Sequence, residues 1–446
     1  MLQNSCVIVG GGVVGIMAAH ILSKKYKKVH IIEKSKNIGG LLLSKNYGRD
    51  IFFDYGPHIF TLTKIDDLNK KLFGSIENLE KKWLIHDQLF DGNFFLKWNY
   101  NSPLIDIRNL PQKLYNESIN QLNKIKFLSQ VNDYNSYILD NFGHTLKKNI
   151  FDKVVKKIYG NVNYDDLSIK SLKIFGLHRI IAFTSDLTLS LKKKSIYDER
   201  IAYHSFGQDR RNIKYFYPNG FEGIGQWVKD QTRILKQNNV TIHTSQKIDK
   251  IVSEKDMIKS IILKDGKSLD VDFCLWTIPP ALGLSAGNIK FSEKIPKTRS
   301  NLLFHLEFDK PLKNKRATYL WNWDPDFKIF RVTLYPNMKK KIENNSSYLT
   351  VEVLCDFEEA SSINVSQIIK ELKKLDIVPK NSEVIFEKSE LLPSTIPILT
   401  KDYESQTFKL NSILEESYKN LKTAGRYSGR AWFMNDTLVD LYQILS

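Results

Sequence analysis

The chain has 446 residues, 42% of them hydrophobic and 12% aromatic, enough to bury more than one core. Lys and Arg number 66 against 49 Asp and Glu, a formal charge of +17. The apolar runs are strand-length, so no bilayer-spanning helix is expected, and three scattered cysteines (Cys6, Cys274, Cys355) exclude a disulfide scaffold and a cysteine-rich metal site. Lysine clusters at 24–28, 192–194 and 339–341 lie among many Asn and Ile residues, which a lysine-biased proteome also produces. If the charge serves a partner, a phosphorylated substrate or an anionic membrane surface fits it. Nucleic acid is not expected, because no binding module accompanies the charge. The glycine loop begins within ten residues of Met1, leaving no room for a signal peptide, and unpaired cysteines suit a reducing compartment, so a cytoplasmic location is expected.

In chain order, residues 6–9 (CVIV) read as a strand, followed by Gly10, Gly12 and Gly15 in a G-x-G-x-x-G pattern and a helical run from Ile16. A second strand, KVHIIEK, carries Glu33 and then Lys34, with Glu33 18 residues after Gly15. Gly10 permits the tight turn, Gly12 lets a pyrophosphate approach the backbone, and Gly15 allows close helix–strand packing. The helix N-terminus offers free N–H groups to phosphate, and Glu33 can accept from ribose hydroxyls. Strand, loop, helix, strand and acid in this order indicate a dinucleotide site. Gly39-Gly40 follow, and then FDYGPHIF, residues 53–60, where Gly56-Pro57-His58 interrupts regular structure.

This combination resembles the FAD-dependent amine oxidase and protoporphyrinogen oxidase superfamily, and YGPHIF is most similar to the UDP-galactopyranose mutase-like members. The resemblance implies an α/β fold: a discontinuous Rossmann-type FAD domain (1–64, 212–290, 392–446), a mainly helical cap (65–211) and an antiparallel-sheet substrate domain (291–391) over the flavin. It implies that Gly39 and Gly40 lie near the pyrophosphate and ribityl chain and that Gly56, Pro57 and His58 pass the isoalloxazine. His58 is the candidate catalytic side chain beside the flavin, with a buried structural histidine as the alternative. Thr61 stands where mutases carry a second histidine.

Along the cap, KIDDLNKKLFGSIENLEKKW, Leu122–Gln130 and Ser136–Phe142 read as helices, and LFDGNFFLKWN as a hairpin turning at Asp91-Gly92. A longer helix closes on Tyr159-Gly160, where mutases have Trp-Gly. Tyr159 would stack on a nucleotide base or pack in the core. YFYPNGFEGIG resembles the re-entry into the FAD domain, and Ile248 in the strand beyond it is the adenine-contact candidate. A hairpin at Asp265-Gly266 and a strand reaching Thr277 follow.

Residues 290–390 alternate strand-like segments. Arg331 resembles the mutase arginine that grips a substrate diphosphate with its planar fork; an ordinary ion pair with a carboxylate is the other reading. At the C-terminus Gly425 and Arg426 begin a loop that resembles the flavin-edge segment, and Asn435-Asp436 read as the N-cap of the closing helix. The resemblance implies that this helix end stabilises negative charge on the flavin. Mutases carry tyrosines in this loop. Here Arg430, Trp432 and Phe433 replace them, so Arg430 and Trp432 become the substrate-binding candidates.

The expected cofactor is FAD, with NAD(P)H as a candidate reductant and no metal. The expected partner is a nucleotide sugar, turned over by redox-neutral ring isomerisation through reduced flavin. The alternative is net hydride transfer from substrate to oxidised flavin. Oligomeric state is not fixed by these residues.

Overall fold

The computed structural model describes all residues except 1–2, 75–78, 87–90, 101, 204–213 and 339–346, so the 339–341 lysine cluster lies outside the described residues. The chain forms two compact units: Met1–His86, Lys214–Pro296 and Glu404–Ser446 make the first, and Asp87–Ile213 and Lys297–Tyr403 the second.

The first unit is built on a five-stranded sheet in the order Val240–His243, Tyr26–Ile32, Gln3–Val9, Phe273–Trp276, Leu421–Thr423. Every pairing in it is parallel. Cys6, Val7, Ile8 and Val9 are buried without alternation, the pattern of a strand covered on both faces. The following helix, Val13–Leu22, is apolar nearly all round and is buried along almost its whole length. A three-stranded antiparallel sheet (Ile248–Glu254, Met257–Leu263, Ser268–Asp270) carries the expected turn at Asp265-Gly266, where Gly266 has φ 86°. A second antiparallel sheet sets Tyr215–Pro218 between Phe60–Thr61 and Trp83–His86.

The second unit contains a seven-stranded sheet, antiparallel except where Tyr319–Asn322 pairs in parallel with Asp91–Phe95. Its strands have two chemically different faces, as the period of two requires. Leu302, Phe304, Leu306, Val332, Leu334, Val351 and Val353 point into an apolar core with the Val365–Lys374 helix. Asn301, His305, Arg331, Thr333, Thr350 and Glu352 alternate with them and carry polar groups on the opposite face. The helical part of this unit packs Tyr134, Phe142, Phe151, Ile158 and Tyr159 into a separate core.

Three local expectations are corrected. The helix near Leu122 runs Gln112–Lys124 and does not extend to Gln130; its amphipathic stripe ends at Leu122. The hairpin turns at Leu96, with φ 63°, between Asp91–Phe95 and Lys97–Asn99. Gly92 lies inside the strand because a Cβ there would stand 2.7 Å from the Asn99 carbonyl oxygen. The closing helix is Met434–Leu445 with Phe433 at its N-cap. Asn435 and Asp436 fall in its first turn, and the Asn435 amide is used elsewhere, as described below.

Candidate dinucleotide and flavin site

The three loop glycines meet different demands. Gly10 has φ 105°, and a Cβ on it would stand 2.3 Å from Thr277 Oγ1. A Cβ on Gly15 would stand 2.0 Å from the Gly10 carbonyl oxygen. Neither position has room for a side chain. At Gly12, the N-cap of the Val13–Leu22 helix, a Cβ would meet nothing within 4 Å. The chain's own packing demands glycine at Gly10 and Gly15, whereas at Gly12 it leaves open space in front of the helix's unsatisfied N–H groups.

Glu33 closes the loop from below. Its Oε2 accepts from Gly11 N (2.9 Å) and its Oε1 from Ser35 N (2.8 Å). Each oxygen keeps a second lone pair for a hydroxyl donor. Lys34 is exposed, and Ile248 is half-buried at the start of its strand. Gly39 (φ 125°) donates from its N–H to the Gly11 carbonyl at 2.7 Å and forms a parallel bridge with Gly12. Gly40 is so close that a Cβ would lie 3.3 Å from Gly12 Cα. The paired glycines thus lie directly against the loop. With Gln in place of Glu33 one backbone N–H faces an amide donor, and the acceptor loses its charge. FAD affinity is expected to fall about tenfold in titrations of apoprotein; unchanged affinity means that Glu33 serves the loop alone.

Behind Glu33, His30 Nδ1 lies 3.1 Å from His243 Nε2 on the adjacent strand. Burial, then the His243 ring, lowers the His30 pKa from 6.5 to about 4. Between those values the unfolded chain binds the proton and the folded chain does not. His30 therefore supports full stability above pH 6.5, and this contribution is lost as pH falls towards 4. His30→Gln should flatten that part of a stability-versus-pH curve; an unchanged slope assigns the acid sensitivity to other groups.

The FDYGPHIF segment is anchored by a residue that sequence reasoning missed. Asp54 is fully buried, and its carboxylate accepts from Ser44 Oγ (2.5 Å), Tyr217 Oη (2.6 Å) and Ile224 N (3.2 Å). A Cβ on Gly223 would stand 2.3 Å from Asp54 Oδ1. The carboxylate therefore joins this segment to YFYPNGFEGIG, and an acid inside an aromatic run was the available signal. Two residues on, Gly56 has φ 130°, a conformation that favours glycine. The His58 N–H donates to the Gly56 carbonyl across Pro57 at 2.9 Å, and the His58 side chain is half-buried.

The C-terminal loop reaches the same region. Asn435 Nδ2 donates to Thr61 Oγ1 (2.7 Å) and to the carbonyls of Thr61 (3.3 Å) and Leu62 (3.2 Å). The closing helix begins with its first turn fixed to Thr61. Asp436 is exposed in that turn, a favourable place for an acid. Gly425 has φ 81°, and a Cβ there would lie 3.5 Å from Val14 on the glycine-loop helix. The Arg426 guanidinium lies 4.9 Å from the Trp432 ring centroid, and its Nε donates to the Trp432 carbonyl at 3.1 Å. Arg430 is exposed; its Nε donates to Asp440 at 2.9 Å and its Nη2 to the Thr423 carbonyl at 2.5 Å.

Two candidates belong to the second unit. Tyr159 is 1% exposed in the helical core, and its hydroxyl donates to the Ser171 carbonyl at 2.8 Å. Gly160 (φ 70°) ends this helix, and a Cβ there would lie 2.5 Å from the guanidinium of Arg299. Arg331 donates to both oxygens of Glu352, from Nε at 2.6 Å and Nη2 at 2.8 Å, and its guanidinium lies 4.6 Å from the Trp321 ring centroid. Glu352 is 1% exposed and also accepts from Asn301 Nδ2 at 2.7 Å. Asn301 and Glu352, like Asp54, were not foreseen.

Residues 8–74 match the model of the NAD(P)-binding Rossmann-like domain. They are a Rossmann-like dinucleotide-binding segment. The crystal structure of a reduced UDP-galactopyranose mutase superposes with a TM-score of 0.75 at 16% identity, over 98% of this chain and 90% of that one. A protein described as a protoporphyrinogen oxidase from Exiguobacterium sp. 255-15 gives a TM-score of 0.70 at 14% identity, over 100% and 98%. The chain therefore shares the fold of these two proteins. Sequence similarity to curated proteins is local. A 1-hydroxycarotenoid 3,4-desaturase from Flavobacterium sp. (strain P99-3) is 34% identical over 97 residues, 21% of this chain and 20% of that protein. The UDP-galactopyranose mutase of Mycoplasma genitalium is 45% identical over 56 residues, 12% and 14%. The matches span about a fifth or less of these relatives.

The residues present fit an FAD. The open space over Gly12 admits a pyrophosphate, Glu33 retains acceptor capacity for ribose, and the Gly56 kink and the Met434 helix end lie on segments joined through Asn435 and Thr61. Among the described residues no cluster of His, Cys, Asp and Glu could hold a metal ion, and no helix is long and apolar enough to cross a membrane.

Proposed function

We propose that this chain is an FAD-dependent enzyme acting on a nucleotide-linked sugar, with the ring isomerisation of UDP-galactopyranose mutase as the closest chemical precedent. The carrying observation is the assembly in the first unit of the open glycine loop, the Gly56-Pro57-His58 kink and the closing helix end. The mutase-type fold and the local similarity to a mutase support it. When bound, the flavin supplies a nucleophilic or hydride-accepting nitrogen. Gly12, Gly39 and Gly40 would let its pyrophosphate come close to the backbone at the tight turn that Gly10 permits, and Glu33 would accept from the adenosine ribose. Asp54 fixes the segment that presents His58, and Asn435 holds the closing helix so that its first-turn N–H groups face developing negative charge. Trp432 and Arg430 stand in the loop that would meet substrate.

A second reading, net hydride transfer to oxidised flavin, is favoured by one observation. The fork of Arg331, the candidate diphosphate grip, is taken up on two of its nitrogens by Glu352. Anaerobic incubation with UDP-galactopyranose separates the readings. Isomerisation by reduced enzyme alone, without spectral change of the flavin, is the expected result. Bleaching of oxidised flavin by substrate, with no turnover by reduced enzyme, overturns it.

A further inference from the structure

We propose that one end of the helical part of the second unit, carrying Phe127, Leu139, Lys124, Lys126, Lys193 and Lys194, docks on an anionic lipid bilayer. Three helices end there on a single guanidinium. Buried Arg200 donates from Nε to the carbonyl of Ile196 (2.6 Å) and from Nη1 to those of Leu122 (3.3 Å) and Asn141 (2.9 Å). These carbonyls belong to the Ser195–Asp198, Gln112–Lys124 and Tyr134–Phe142 helices, and a buried cation suits such C-terminal ends. The Tyr197 hydroxyl donates to Asn123 at 3.2 Å. Asn141 and Ser129 exchange two hydrogen bonds at 3.0 Å, which bring the loop carrying Phe127 onto the second helix. The segments bearing the six residues therefore form one fixed end.

To solvent this end presents Phe127, 87% exposed, the most exposed large apolar side chain among the described residues, and Leu139 at 42%. The four lysines on these segments are exposed, against the exposed acids Asp140 and Glu199. Two other exposed phenylalanines lack this setting: Phe357 lies among Asp356, Glu358 and Glu359, and Phe221 precedes Glu222. An exposed aromatic ring on an end that also carries exposed lysines matches a membrane interface, where the ring enters the headgroup boundary and the ammonium groups meet lipid phosphate. A second copy is a poor occupant, because a twofold contact would bring two patches of the same net positive charge together.

The test is co-sedimentation of the holoprotein with vesicles of phosphatidylcholine alone or mixed with phosphatidylglycerol. Binding is expected to the anionic vesicles only, weakened about tenfold or more by Lys124→Glu with Lys126→Glu and about fivefold by Phe127→Ser, and released by high salt. Because the native cysteines are buried, Phe127→Cys accepts an environment-sensitive dye selectively. Its emission should shift to the blue with anionic vesicles, whereas dye on Phe357→Cys should not respond. The proposal is overturned by absence of vesicle binding, by equal binding to neutral vesicles, or by binding that none of these substitutions changes. A concentration-dependent dimer abolished by Phe127→Ser also overturns it and assigns the face to a second copy. None of these outcomes depends on the identity of the enzyme's substrate.

Discussion

Gly12→Val gives a folded chain that no longer retains FAD, whereas Gly15→Ala gives a chain that has lost stability before any cofactor is added. The two glycines are three residues apart in one loop and differ in what surrounds them. Gly12 has φ −72° and ψ −175°, which other residues adopt, and empty space where a Cβ would go. The protein tolerates the new side chain, which then fills the path of the pyrophosphate. At Gly15 the added carbon would meet a backbone oxygen at 2.0 Å, and a backbone oxygen cannot rotate away. Overpacking of this kind costs about 3 kcal/mol, from the upper part of the usual range. Flavin absorbance per mole of protein and thermal melting of the apo forms read the two effects separately. A Gly12→Val protein that keeps its flavin sinks the cofactor assignment. A Gly15→Ala protein as stable as the parent means the strand and helix can move apart.

Arg331→Ala should destabilise the second unit by about 3–5 kcal/mol, far more than loss of a surface ion pair. The reason lies with the partner. Glu352 is 1% exposed, and without Arg331 its charge is left with the neutral Asn301 amide as a side-chain donor. Arg331→Met with Glu352→Leu removes both charges and should recover part of the loss, because only the neutral Asn301 amide then lacks its acceptor. Denaturant unfolding of the single and double variants measures both. A single variant costing under about 1 kcal/mol would mean that water reaches Glu352 readily. Substrate affinity of the double variant then reports whether the arginine also grips a ligand, free of the stability effect.

The dinucleotide segment was legible because its signal is contiguous. Gly10, Gly12, Gly15 and Glu33 lie within one strand–helix–strand unit, and each residue's task follows from its neighbours in sequence. The Asp54 knot was not legible, since its partner Tyr217 lies 163 residues away. Glu352 escaped for a related reason: Arg331 faces it only through cross-strand register, which spacing along one strand does not reveal. Asn435 illustrates a local rule overridden by a distant contact. Asn is a favoured N-cap, but Asn435 gives its amide to three acceptors at Thr61 and Leu62, and the helix takes Phe433, two residues earlier, as its N-cap. Gly92 read as a turn residue, yet it serves the close approach of Asn99 inside a strand.

The interleaving of the two units sets an order of assembly during synthesis. The second unit ends at Tyr403, while the parallel sheet of the first still lacks its edge strand, Leu421–Thr423. Gly425 and Asn435, which seat against Val14 and Thr61, emerge later still. The glycine loop is made well before its surroundings, which are completed only by residues 421–435. A nascent chain thus carries a finished second unit and an unfinished nucleotide fold, with long-range strand pairing left as the late, slow step. Cofactor capture then reports that synthesis has passed the closing helix, and a truncation before Leu421 that spares every glycine of the loop still leaves the protein colourless.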